Sequence, residues 1–88
     1  MRYRVSASVY HVAVHDEVVI LDARRSVYIS LNRTATVVWA ALAGGQTQEQ
    51  AAAGMTELFR VSPDQAWSDV SRLVEDLVGR GLLERLEE

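Results

Sequence analysis

At Leu31–Asn32 the spacing of apolar residues changes, and this one switch divides the chain into two kinds of structure. From Val5 to Leu31, Val, Ile, Tyr and Ser dominate and short polar interruptions separate them, which is the pattern of consecutive hairpins. Beyond it, Ala35, Val38, Trp39 and Leu42 recur at the period of a helix lying on a core. At 88 residues the chain supports one domain, residues 1–88, so strands and helices must share a single core.

Three strands are expected in the first part. The first, about Val5 to Val14, carries Val5, Ala7 and Val9 on one parity and Val12 and Val14 on the other, so a bend or bulge is expected near Tyr10 and His11. His15–Asp16 marks a turn, and Val18-Val19-Ile20-Leu21, apolar on both parities, reads as a central strand covered on both faces. After the loop from Asp22 to Arg25, the run from Val27 to Leu31 alternates as a half-buried third strand. Helix one has Asn32 as its cap and Gly44–Gly45 as its stop. Thr47 and Gln50 form a capping box for a second helix to Phe59, with Ala51, Met55, Leu58 and Phe59 on one face. Ser62-Pro63-Asp64-Gln65 reads as another capping box, opening a third helix that Gly79 and Gly81 end. Leu82 to Leu86 is a short closing segment. The fold class is α+β: a three-stranded antiparallel meander followed by three helices packed on one of its faces.

Composition removes most chemistry. The absence of cysteine excludes disulfides, thiol catalysis and cysteine-held metals. Twelve acids outnumber nine bases, all of them Arg, which disfavours attraction to nucleic-acid phosphates. No apolar run approaches the roughly 20 residues of a membrane helix, and no signal segment opens the chain, so it is expected in the cytoplasm. His11 and His15 lie about 13 Å apart on a strand, too far to share a metal ion without a bulge. Asp16–Glu17 and Glu75–Asp76 read as solvated pairs, and Gly79-Arg80-Gly81 as a helix stop instead of a phosphate cradle. Neither an enzyme nor a cofactor is indicated.

Two features remain. The third strand is a meander edge, and Val27-Tyr28-Ile29-Ser30-Leu31 contains neither charge nor proline, the usual guards of an open edge. It is thus a candidate dock for a partner's extended strand, with Val27, Ile29 and Leu31 or Tyr28 and Ser30 as the outward-bonding set. The other is the wide apolar arc of helix three, from Leu73 through Leu77, Val70 and Val74 to Trp67 and Val78. Trp67 at its rim either caps the core or, with Val70 and Val74, walls a groove.

Val19-Ile20-Leu21-Asp22, then Tyr28-Ile29-Ser30-Leu31-Asn32, Thr34–Ala35, Val38–Trp39, Leu42, Gly44–Gly45 and Thr47 form an ordered set. With Phe59, Val61, Asp69–Val70, Leu73, Leu77 and Gly81-Leu82-Leu83, it resembles the PqqD-like RiPP recognition elements, which capture leader peptides of ribosomally made, post-translationally modified peptides. Arg24-Arg25-Ser26 stands where the family often has Gly, as does Thr36 where a small residue is common. The resemblance implies a winged-helix-like fold whose third strand and third helix form the leader cleft. It assigns leader binding to Val27, Tyr28, Ile29, Ser30 and Leu31 on the strand and to Trp67, Asp69, Val70 and Val74 on the helix. Within the family the chain looks most like the stand-alone half of the split lasso-peptide maturation system, with a cysteine-type leader protease and a cyclase as partners, and with pyrroloquinoline quinone and radical-SAM pathways as the alternatives. The alternatives are a winged-helix DNA-binding regulator, which the acidic third helix disfavours, and a generic protein-interaction module.

Overall fold

The computed structural model describes residues 1–86. In chain order the elements are β1 (Arg2–Val5), β2 (Val9–Val14), β3 (Glu17–Asp22), β4 (Val27–Ser30), α1 (Arg33–Ala43), α2 (Gln48–Phe59), α3 (Pro63–Gly79) and β5 (Leu83–Leu86). The meander β2-β3-β4 is antiparallel, and β3 lies at its centre. β1 and β5 form a separate antiparallel ribbon, Arg2 opposite Leu86 and Val5 opposite Leu83.

The expected first strand is therefore two strands, and the break falls at Ser6–Ser8 instead of near Tyr10 and His11. Ser6 donates its N–H to the Leu82 carbonyl at 3.1 Å and accepts from Val9 N–H at 3.0 Å, a turn that passes the chain from one sheet to the other. Through Tyr10 and His11 the ladder with β3 continues without a bulge, Tyr10 facing Leu21 and His11 facing Ile20. The change of apolar phase has another cause: Val9 points to the core, whereas Tyr10, Val12 and Val14 stand on the exposed outer face of the meander.

One core serves everything. Val9, Val18, Ile20 and Leu31 of the meander pack with Val38, Trp39 and Leu42 of α1, Ala51 and Met55 of α2, and Ala66, Val70, Val74 and Leu77 of α3. Tyr3, Leu82 and Leu83 bring the terminal ribbon into the same cluster. His11 meets the wholly buried Trp39 edge-on, ring centroids 5.4 Å apart. The expectation that β3 is covered on both faces is corrected: Val18 and Ile20 are buried, while Val19 and Leu21 on the outer face are only half-buried. Leu58 likewise leaves the predicted face of α2, because the buried stripe centres on Ala51, Ala52 and Met55 and Leu58 falls on its margin near the helix end.

The caps follow the sequence, with one exception. Asn32 accepts from Ala35 N–H, and Thr47 and Gln50 make the reciprocal capping box. At α3 only half a box forms: Ser62 accepts from Gln65 N–H at 3.1 Å, but the Gln65 side chain donates to Asp69 at 2.8 Å. Helix α3 ends as a Schellman motif, with Gly81 N–H to the Val78 carbonyl at 3.0 Å and Leu82 N–H to the Leu77 carbonyl at 2.9 Å. This needs a left-handed residue, and Gly81 has φ 75°. Among the described residues no helix is long and apolar enough to cross a membrane.

Because an L side chain in that conformation costs about 1–2 kcal/mol, Gly81→Ala is expected to lower unfolding free energy by that amount in denaturant titration. Gly79→Ala, in open space at a position of ordinary helical φ, should be neutral or slightly stabilising in the same assay.

Candidate functional site

β4 is one edge of the meander, and its ladder determines which backbone groups are free. Leu31 N–H donates to the Val18 carbonyl at 2.9 Å, so Leu31 belongs to the pairs bonded to β3. By alternation Ile29 and Val27, opposite Ile20 and Asp22, bond inward as well. The N–H and C=O groups of Tyr28 and Ser30 therefore point away from the sheet, and the question of parity left open by the sequence is answered. Side chains alternate the other way: Ile29 and Val27 face the helices, while Tyr28, 72% exposed, stands on the outer face.

Beside this edge runs a groove between β4 and α3. Its middle is a recess of about 210 Å³ with Ile29, Leu77 and Leu82 below and Leu73, Asp76 and Arg80 along α3. Toward the start of α1 it opens into a space of about 510 Å³ that includes Asn32, Thr34, Ala35, Asp69, Arg72 and Leu73. At the other end, about 260 Å³ lies between Val27, Ile29 and the charged trio Asp22, Arg25 and Arg80. Neighbouring recesses share residues, so the three form one channel parallel to the free edge.

Arg25 ties the two walls together. Its guanidinium donates to Asp22 at 2.9 Å and to the Arg80 carbonyl at the end of α3 at 2.6 Å. A cation there also complements the negative end of the helix dipole. Asp22 is buried and accepts further bonds from the N–H groups of Arg24 and Arg25. Burial pushes its pKa up, but the hydrogen bonds and charge of Arg25 and the Arg24 N–H outweigh burial and hold the carboxyl below its ordinary value.

Each predicted residue has a definite place. Val27, Tyr28, Ile29 and Ser30 form the edge, and Leu31, just beyond it, is buried beneath the groove. Asp69 lines the recess near the start of α1. Val70 and Val74, 0% and 1% exposed, are core residues and offer a ligand no surface. Trp67 is 46% exposed but projects from α3 about 160° away from Asp69, on the flank opposite the groove. The groove-facing residues Leu73, Asp76, Leu77 and Arg80 occupy the other rim of the same apolar arc. Only the packing of α3 on β4 and α1 decides which rim faces the edge, and nothing local in the sequence encodes it. Among the described residues no cluster of His, Asp and Glu has metal-holding geometry.

Residues 17–83 match the family model for coenzyme PQQ synthesis protein D (PqqD). Two solved structures share the fold. TbiB1 in complex with the TbiA(beta) leader peptide is 22% identical with a TM-score of 0.88, over 97% of this chain and 99% of that one. Lasso peptide synthetase B1 complexed with the leader peptide is 25% identical, also with a TM-score of 0.88, over 97% of this chain and 100% of that one. No curated protein sequence matches.

A carboxyl with a depressed folded pKa contributes stability that is present above its unfolded value and is lost as pH falls through the folded one. The Asp22 contribution should accordingly be complete near neutrality and vanish in the acid range. In thermal melts between about pH 2 and 7, Asp22→Asn is expected to lower Tm at neutral pH and to converge with the parent at the acid end. A constant gap across that range would assign Asp22 a role independent of its charge.

Proposed function

Because the chain belongs to the PqqD family, we propose that it captures the leader peptide of a ribosomally made, post-translationally modified precursor by adding the leader as an antiparallel strand to β4. The observation that carries this reading is the coincidence of an unguarded edge with a groove along it. Tyr28 and Ser30 offer backbone bonds, and alternate leader side chains, those opposite Val27 and Ile29, enter the groove. Backbone pairing supplies affinity for any extended peptide, and the recess over Ile29, Leu77 and Leu82 selects an apolar side chain. The leader complexes of the two similar structures support the same reading.

The pathway is that of a lasso peptide, and the chain presents the bound leader to a separate cysteine-type protease and to a cyclase in the cytoplasm. It works as a carrier, without chemistry of its own. DNA binding is disfavoured by charge: the solvent side of α3 carries Asp64, Asp69, Glu75 and Asp76 against Arg72 and Arg80, and Arg80 is paired with Asp76 at 3.0 Å. A fluorescence titration against a leader peptide and a random duplex tests the assignment, with saturation expected for the peptide alone.

A proline scan tests the mode of binding. Tyr28→Pro and Ser30→Pro remove outward donors and should leave Tm nearly intact while abolishing leader binding. Val27→Pro and Ile29→Pro interrupt the ladder to β3 and should lower Tm strongly. Binding by folded Tyr28→Pro and Ser30→Pro at parental affinity would exclude strand addition to β4.

Side-chain truncation tests the groove. Leu73→Ala should weaken leader affinity about tenfold or more, on the order of 1.4 kcal/mol. Trp67→Ala, on the other flank, should leave it unchanged, and the opposite ranking by calorimetry would place the leader on the α2 side of α3.

A further inference from the structure

The second edge of the meander is as unguarded as the first, and longer. β2 has six residues, Val9–Val14, without charge, proline or bulge, and all but Val9 are exposed. Ala23 N–H donates to the Ser8 carbonyl at 2.9 Å, so by alternation Tyr10 and Val12 belong to the pairs bonded to β3. The N–H and C=O groups of His11 and Ala13 consequently point outward, and among the described residues the sheet has no strand beyond them. On the outer face of the same strand Tyr10, Val12 and Val14 are 61%, 59% and 47% exposed. Soluble proteins normally blunt such an edge, because it is a template for pairing with another chain.

We propose that β2 pairs antiparallel with β2 of a second copy, about a two-fold axis through Val12. What commits the edge to a copy of itself is its self-complementarity in this register. His11 and Ala13 of the second copy exchange both backbone bonds, as do Ala13 and His11 of the second copy. On the outer face Tyr10 lies opposite Val14, Val12 opposite Val12, and Val14 opposite Tyr10. These are aromatic–aliphatic and aliphatic cross-strand pairs, and no formal charge faces another. The result is a six-stranded sheet in the order β4-β3-β2-β2-β3-β4, which leaves a β4 edge and its groove open at each end. A seam this short buries less than the roughly 1,200–2,000 Å² of a stable complex, so the dimer is weak and forms at high concentration.

Sedimentation equilibrium of the whole chain from about 10 micromolar to about 1 millimolar spans the range in which so small an interface associates. The weight-average mass is expected to rise toward twice that of one chain. Val12→Glu and Val12→Lys each bring two like charges together on the axis, and each should remain monomeric throughout. An equimolar mixture of the two should dimerise at least as well as the parent, a rescue that aggregation does not produce. Val12 is exposed, and thermal melts verify that both variants fold. A constant monomer mass for the parent, dimers of either charged variant alone, or a mixture that stays monomeric would each overturn the proposal.

Discussion

Ile20 and Trp39, both wholly buried, belong to a single apolar cluster that the meander, the three helices and the terminal ribbon all share. The meander has one face to bury, each helix one stripe, and the terminal ribbon is only two strands wide. None of these is stable alone in water, so all depend on one apolar layer. The groove inherits its rigidity from this arrangement. Its two walls, β4 and α3, are far apart in the chain, yet Ile29, Leu77 and Leu82 beneath them adjoin the common core. Arg25 adds a polar tie at one end, where the last turn of α3 would otherwise present unsatisfied carbonyls.

Local chemistry was legible in the sequence wherever it is decided locally. Asn32, Thr47 and Ser62 start the helices where their side chains can accept an early N–H, and Gly45 and Gly81 stop α1 and α3 where φ turns positive. The hairpin at His15–Asp16, the central place of β3 and the exposed edge at β4 follow from composition and alternation. What escaped the reading is non-local. Arg2-Tyr3-Arg4-Val5 alternates as a strand, but its partner is Leu83–Leu86, and no signal in either segment names the other. The flank of α3 that faces the groove escaped for a similar reason: Trp67 and Leu73 are equivalent rims of an arc until α1 and β4 are placed against one of them. Val12 and Val14 misled in the opposite sense, since apolar residues on a strand suggest burial and here stand in solvent.

The two edges of the meander differ in their surroundings. β4 has a groove beside it, whereas β2 has only backbone and an outer apolar row. An added strand at either edge would place its alternate side chains on the same outer face, beside Tyr28 at β4 or beside Tyr10, Val12 and Val14 at β2. That face is shallow, with a recess of about 190 Å³ among Tyr10, Val12, Leu21 and Tyr28, and it widens as strands are added.

The ribbon β1–β5 joins residues from opposite ends of the chain, and Arg4 meets Glu84 at a sequence separation of 80. Closing so long a loop carries an entropy cost that the two-residue hairpin and the adjacent α2–α3 pair do not bear. The order expected from this cost is hairpin and helices first, ribbon last. A chain still emerging from the ribosome holds β2, β3 and β4 long before Leu83–Leu86 is available. The β4 edge is then complete at a stage when its opposite wall, α3, and Leu82 beneath the groove are still being made.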